Sequence, residues 1–212
     1  MLRYLRGSDL ARYPKLRDGM FRDRARQFRD RLGWAVSVDA GGLERDGYDD
    51  LDPLYVIWQR HDGGHGGSMR FLPTDGPTML DDHFAQLTGG RRIRSARVWE
   101  CTRFCLAPGG RATPQVPAAL MLAGAEIGLI FGLTHAVGVF DARMVRIYRR
   151  LGWPPQIFGQ EGQGAAAISA GLWPFSVAIR DRLAQRAGIS RALSALWCAR
   201  AFGATDRPAR SA

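Results

Sequence analysis

Acidic, basic and aromatic side chains of the kinds that move protons, hold anions and cover cations crowd the first half of this 212-residue chain. They are Arg24, Phe28, Trp34, the run Glu44-x-Asp46-x-Tyr48-Asp49, Arg70 ahead of Leu72-Pro73-Thr74, Phe84, and Trp99-Glu100-Cys101-Thr102-Arg103-Phe104. A carboxylate can take a proton from a reacting amine. A planar guanidinium holds a carboxylate through paired charge-assisted hydrogen bonds, and an aromatic face attracts a cation. Each residue also has an ordinary reading. Phe28 falls on the apolar stripe of a helix, Asp46 and Asp49 sit in a polar loop, Arg70 suits an exposed strand or a salt bridge, and Trp34 after Gly33 suits a loop staple. Taken singly, these ordinary readings carry more weight; the ordered set, spread over roughly eighty residues, reverses that judgement.

Other motifs are weaker. His61-Asp-Gly-Gly-His65-Gly-Gly supplies two metal-binding side chains without a third or fourth, so it reads as a solvated hairpin loop. Gly159-Gln-Glu-Gly162-Gln-Gly164 imitates a dinucleotide fingerprint but lacks the strand, helix and downstream acid that would support it. A loop between strands is the preferred reading. Cys101, Cys105 and Cys198 are odd in number and lack metal spacing, so they read as reduced, buried thiols, with Cys101 and Cys105 on one strand face.

In this order and spacing the residues from Arg24 to Phe104 resemble the signature of the acyl-homoserine-lactone synthases, the LuxI family that makes bacterial quorum-sensing signals. The resemblance implies a reaction in two steps. The α-amine of S-adenosylmethionine attacks an acyl thioester of carrier protein or coenzyme A, and its carboxylate then attacks the γ-carbon beside the sulfonium, closing the lactone and releasing methylthioadenosine. S-adenosylmethionine is then a substrate, and no cofactor or metal is called for. The resemblance makes Glu100 and Arg103 catalytic and places Arg24, Phe28, Trp34, Asp46, Asp49, Arg70, Phe84 and Phe104 around S-adenosylmethionine. Within that scheme Glu100 is the base for the amine, Arg24 or Arg103 holds the substrate carboxylate, and aromatic and acidic walls suit the sulfonium and adenine.

A fainter likeness from His135 to Trp153 implies that Gly138, Phe140 and Met144 lie beside the acyl chain; Trp99, Cys101 and Thr102 are expected in the same pocket, and the charge of Arg149 and Arg150 beside its expected entrance suits docking of an acidic carrier protein. Some family members that prefer 3-oxo chains have threonine where this chain has Gly138. Its absence implies an unsubstituted or bulky acyl chain.

The elements that must position these residues are legible in outline. Leu16, Met20, Phe21, Ala25, Phe28 and Leu32 predict an amphipathic helix over 16–32, stopped by Gly33. Residues 34–53 read as a loop, 54–59 and 68–72 as a hairpin around a 63–67 turn, and 79–87 as a short helix. A strand over 96–106, a helix over 117–133, a strand over 135–140 and a helix capped by Asp141 and running to Leu151 follow. Strands over 157–159, 165–170 and 175–179, a helix over 181–202 and frayed last residues complete the chain.

This order matches the α/β (α+β) fold of the GCN5-related N-acetyltransferases, a mostly antiparallel central sheet flanked by helices, to which the LuxI-type synthases are similar. One domain over 1–212 is expected. Where that fold carries a pyrophosphate loop, the chain reads Ala107-Pro-Gly-Gly-Arg-Ala-Thr-Pro-Gln, which does not read as a conventional acetyl-CoA site. In a regular strand Glu100 and Arg103 point to opposite faces, so both reach one site only if the strand is bulged. The resemblance predicts that bulge.

At 46% hydrophobic the chain is globular in composition, without an apolar run long enough for a membrane span or signal peptide, so a cytoplasmic protein is expected. The net charge of +10 is nearly all arginine, clustered at 22–31, 91–97 and 143–150. Basic surfaces attract nucleic acid, phosphates and acidic proteins, but no nucleic-acid-binding motif accompanies them. An N-acyltransferase acting on another amine, and a non-catalytic basic binding protein, are the competing readings.

Overall fold

Among the described residues seven strands build one sheet, and its first strand is concealed in the sequence. β1 (Leu2–Arg6) pairs antiparallel with β2 (Leu54–Gln59) in the computed structural model, which describes residues 1–109, 115–164 and 167–203. Leu2 and Tyr4 join the main core on one face while Leu5 joins a smaller cluster on the other. Both faces are covered, so five residues with two arginines show no clean alternation.

α1 (Pro14–Ala25) starts at a proline whose missing N–H costs nothing there, then widens into a π-helical turn over Arg26–Arg31. The predicted loop over 34–53 contains a 3-10 turn, Gly47–Asp50, whose N-cap Asp46 and third residue Asp49 bond each other's backbone as a capping box. β3 (His65–Pro73) begins earlier than expected. His65 is buried there, not solvated, because Gly19 of α1 leaves room for it and Asp23 accepts its Nδ1 at 2.8 Å.

α2 (Met79–His83) precedes β4 (Val98–Leu106) and α3 (Gln115–Ile130), followed by β5 (His135–Asp141), α4 (Ala142–Leu151), β6 (Gln156–Glu161) and β7 (Ile168–Pro174). Asp141 caps α4 as predicted, accepting from the N–H groups of Arg143 and Met144. The expected strand over 175–179 does not form; Ser176 caps α5 (Val177–Ala187) instead. The single C-terminal helix is two, since Gly188 ends α5 in the left-handed region and Ser190 caps α6 (Arg191–Phe202). Most of the 107–115 loop, the start of the 165–170 strand and the expected frayed end fall outside the described residues.

The strand order is β1-β2-β3-β4-β5-β7-β6, antiparallel except between β4 and β5. That parallel pair is short: only Val98, Glu100 and the Trp99 between them face His135, Val137 and Ala136 before the two strands part. α3 lies across the sheet, apolar on nearly every side because α5 and α6 cover its back. Its one buried acid, Glu126, accepts a 2.7 Å hydrogen bond from Ser194 of α6. The sheet's other face carries α1 and α2.

Candidate active site

Three arginines and three carboxylates interlock between α1, the 44–50 loop and β3–β4. Arg24 donates Nε to Glu44 and both terminal nitrogens to Asp49 at 2.9 Å. Arg70 donates to Asp46, to Asp49 at 2.7 Å, and through Nε to Thr102. Arg103 closes the ring on Glu44 at 2.9 Å and Asp46 at 2.7 Å. Arg24 and Arg70 are among the largest fully buried side chains, at 1% and 0% exposure. Buried ions persist only when paired and hydrogen-bonded, and here charge is balanced three against three.

The energetics follow from that pairing. Burial opposes the charge on Asp49, but Arg24 and Arg70 more than offset it and hold the carboxyl well below its ordinary value. Burial likewise works against Arg24, and Asp49 and Glu44 overcome it, raising its affinity for its proton. Tyr55 donates its hydroxyl to Asp49 at 2.6 Å, and burial raises the phenol above its usual range.

β4 is bulged where the site needs it. Ser68 and Arg70 of β3 face Cys105 and Thr102, so Arg103 and Phe104 together oppose Met69. Arg103 takes φ +55°, a left-handed conformation rare outside glycine. The extra residue reverses the alternation. Glu100 and Arg103 therefore share the α1–α2 face, while Cys101 and Phe104 turn to the α3 face and Cys105 turns back toward Asp23 and Arg24. The expectation that Cys101 and Cys105 share a face fails for the same reason. Burial pushes each thiol up to about 12, so both are poor nucleophiles.

Glu100 is 1% exposed, and its two oxygens accept from the backbone N–H groups of Met79 and Leu80 at 2.9 and 2.7 Å. Burial pushes it up to about 7, against the pull of those two hydrogen bonds. A carboxyl poised near neutrality is what proton transfer from an amine requires.

Beyond their short pairing, β4 and β5 diverge around a cleft of about 510 Å³ of unfilled space, part of it open to solvent. Its walls are apolar: Met69 and Phe71 from β3, Cys101 and Phe104 from β4, Met121 from α3, and Tyr148, Trp153 and Trp173 toward its far side. Thr102 and Arg103 line it as well as joining the ionic network, so an apolar chain and a polar reactant can meet there.

The profile of the family described as "Autoinducer synthase" matches residues 9–183. The chain belongs to that family. An acyl-homoserine-lactone synthase of Rhizobium etli is 39% identical over 198 residues, covering 91% of this chain and 92% of the relative. The solved structure of a CoA-dependent acyl-homoserine lactone synthase, MesI, superposes with a TM-score of 0.79 at 25% identity, over 91% of this chain and 98% of that one. A structure described as a putative N-acetyltransferase of Lactobacillus plantarum, 16% identical with a TM-score of 0.55 over 82% and 99% of the two chains, shares the fold. This autoinducer synthase is an acyl-transferring enzyme, an acyl-homoserine-lactone synthase.

In the synthase the expected site residues separate into groups. Phe28 and Trp34 stack, 5.2 Å between ring centres and 16° apart, and the Arg103 guanidinium lies over Phe28. Trp34 is 39% exposed, which leaves this wall open to a ligand. Arg24 is fully buried with Nε on Glu44 and both terminal nitrogens on Asp49, which Arg70 also engages. Phe84 packs away from the network with Leu80, Leu87 and Val137, and Phe104 sits edge-on to Tyr148 in the cleft. Of the expected acyl pocket, Cys101, Thr102 and Gly138 line the cleft. Trp99 packs on Phe131, Phe140 stands behind Tyr148 and Trp173, and Met144 packs at the core's margin. Arg149 and Arg150 are exposed on α4, the helix that supplies Tyr148 to the cleft.

Four contributors were not among the expected site residues. Glu44 joins Arg24 to Arg103, Tyr55 braces Asp49, Tyr48 underlies the Arg70 guanidinium and donates to Asp82, and Met79 touches both Arg70 and Arg103. Glu44 and Tyr48 stood inside the Glu-x-Asp-x-Tyr-Asp run. Tyr55 and Met79 look like ordinary core residues of a strand and a helix, and no local pattern marks them.

Proposed function

We propose that the synthase makes its acyl-homoserine lactone from S-adenosylmethionine and an acyl thioester, with the amine and thioester meeting at the mouth of the β4–β5 cleft. The observation that carries this reading is the β4 bulge, which turns Glu100 and Arg103 to one face where the ionic network joins an apolar cleft. Ionised Glu100, directly or through one water, takes a proton from the α-ammonium of S-adenosylmethionine. The freed nitrogen attacks the thioester carbonyl, a C–N bond forms, the C–S bond breaks, and the nitrogen's second proton passes to the departing thiolate. The substrate carboxylate oxygen then displaces sulfur from the γ-carbon, closing the ring and releasing neutral methylthioadenosine.

Arg103 orients that carboxylate through its Nη1, which donates to none of the network's carboxylates, and Phe28, Trp34 and Asp46 cover the sulfonium and adenosine. Arg24, Asp49 and Glu44 are positioning residues. The acyl chain runs between Cys101, Gly138, Tyr148 and Trp173. Carrier protein is the proposed donor, because Arg143, Arg146, Arg149 and Arg150 are exposed on the helix that walls the cleft. These substrates are made in the cytoplasm, where the reaction is placed.

Incubation of the protein with S-adenosylmethionine and acyl thioesters tests the scheme. Thiol, methylthioadenosine and an acyl-homoserine lactone should appear in equal amounts by chromatography and mass spectrometry. Thiol release with an acylated amine but no methylthioadenosine would instead make the protein an N-acyltransferase of another kind.

A further inference from the structure

The ionic network ends on one chemically mismatched partner. Among the described residues every other side-chain hydrogen bond from Arg24, Arg70 and Arg103 goes to an oxygen, but Arg70 Nη2 and Arg103 Nη1 both point at the thioether Sδ of Met79, at 3.5 and 3.4 Å. A thioether sulfur is a weak acceptor, whereas two guanidinium N–H groups converging from different residues suit a carboxylate. The methionine is only half-buried, and Arg103, which donates to its sulfur, also lines the cleft.

We propose that Met79 is a gate: its sulfur occupies the place on Arg70 and Arg103 that the substrate carboxylate takes, and binding requires the side chain to swing aside. This rests on the reading of S-adenosylmethionine as substrate. The movement is confined to the side chain. Glu100 grips the Met79 backbone N–H at 2.9 Å, and the backbone N–H of the next residue as well, so α2 stays fixed while the three flexible torsions of methionine do the work. Holding the donors on a weak acceptor keeps them from being buried unpaired in the empty enzyme, at small cost to the ligand that displaces it. Met79 is thus a positioning residue that sets how readily the carboxylate cradle is available.

Two variants with opposite chemistry and two ligands test the gate. Met79→Leu keeps the volume and removes the acceptor; Met79→Gln replaces it with an amide oxygen, a stronger one. The ligands are S-adenosylmethionine and its decarboxylated analogue, which retains adenosine, sulfonium and amine. By calorimetry Met79→Leu should bind S-adenosylmethionine roughly three- to tenfold more tightly and Met79→Gln more weakly by a similar factor, because the fraction of empty enzyme with a free cradle changes. Neither variant should alter binding of the decarboxylated ligand. Both selective shifts are required, and any other pattern from a protein that binds S-adenosylmethionine overturns the gate. Wild-type protein that binds neither ligand would sink the substrate reading itself, a separate result.

Discussion

Glu100 holds two positions at once, clasp of α2 and proton acceptor, and its titration separates them. Burial raises it from an ordinary 4.5 to about 7, so it ionises as pH passes neutrality. Turnover should therefore rise with pH through about 7. Glu100→Gln should lose roughly 100- to 10,000-fold in lactone formation together with that limb of the profile. Stability moves the other way. The folded state holds the Glu100 proton more tightly than the unfolded chain, so below 4.5 the group costs nothing, and the cost of a buried anion is fully present above about 7. The melting temperature of wild type should fall relative to Glu100→Gln between pH 5 and 8. A constant difference would mean that burial is not felt by the carboxyl.

At the scale of elements, the cleft exists because β4 and β5 part, and Gly138 sits at the parting. A Cβ on Gly138 would stand 2.7 Å from the carbonyl oxygen of Cys101, a backbone atom that cannot turn away. The sequence likeness makes this position a place for a threonine hydroxyl. Here it is instead a close approach of two strands, which only glycine permits without moving one of them. Gly138→Ala should cost about 1–3 kcal/mol in urea unfolding and shift the competition between acyl donors of different length. Unchanged stability would show that the strands yield freely.

α4 makes a second element-scale claim, since its buried face supplies Tyr148 to the cleft and its exposed face carries arginines. Arg149→Glu with Arg150→Glu should raise KM for carrier-protein thioesters and spare small pantetheine thioesters. The defect should fade at higher salt, where screening acts over about 8–10 Å. Equal loss on both donors would point to damage in the cleft.

For the whole molecule, the three-residue pairing of β4 with β5 is a narrow seam between the two halves of the sheet. One core nevertheless spans it: Leu54, Met69 and Phe71 on one side and Ala136, Phe140 and Trp173 on the other pack with Leu120, Leu122 and Ile127 of α3. The first strand and the last described helix are tied to the same core, with Phe202 of α6 against Tyr4 of β1 and Phe131. Unfolding should therefore be a single cooperative transition, coincident by far-ultraviolet dichroism and tryptophan fluorescence. Two separated transitions would show that the seam divides the molecule.

The sequence by itself determined which residue types gather in the site and the run of most helices and strands, because periodicity, caps and glycine stops are local properties. Glu44-x-Asp46-x-Tyr48-Asp49 and Trp99 to Phe104 announce the family without any coordinates. A strand covered on both faces, such as β1, leaves no alternation to read, and the break of the last helix at Gly188 competes with helical composition on either side. Tertiary structure alone decided who pairs with whom. Arg24 reads as a ligand-holding cation until Glu44 and Asp49, twenty and more residues away, are folded against it. His65 reads as a loop residue until α1 covers it, and Met79 as core until two guanidinium groups meet at its sulfur. Charge pairing and close approach depend on distances between remote segments, and a one-residue bulge in β4 reverses which face every later side chain meets.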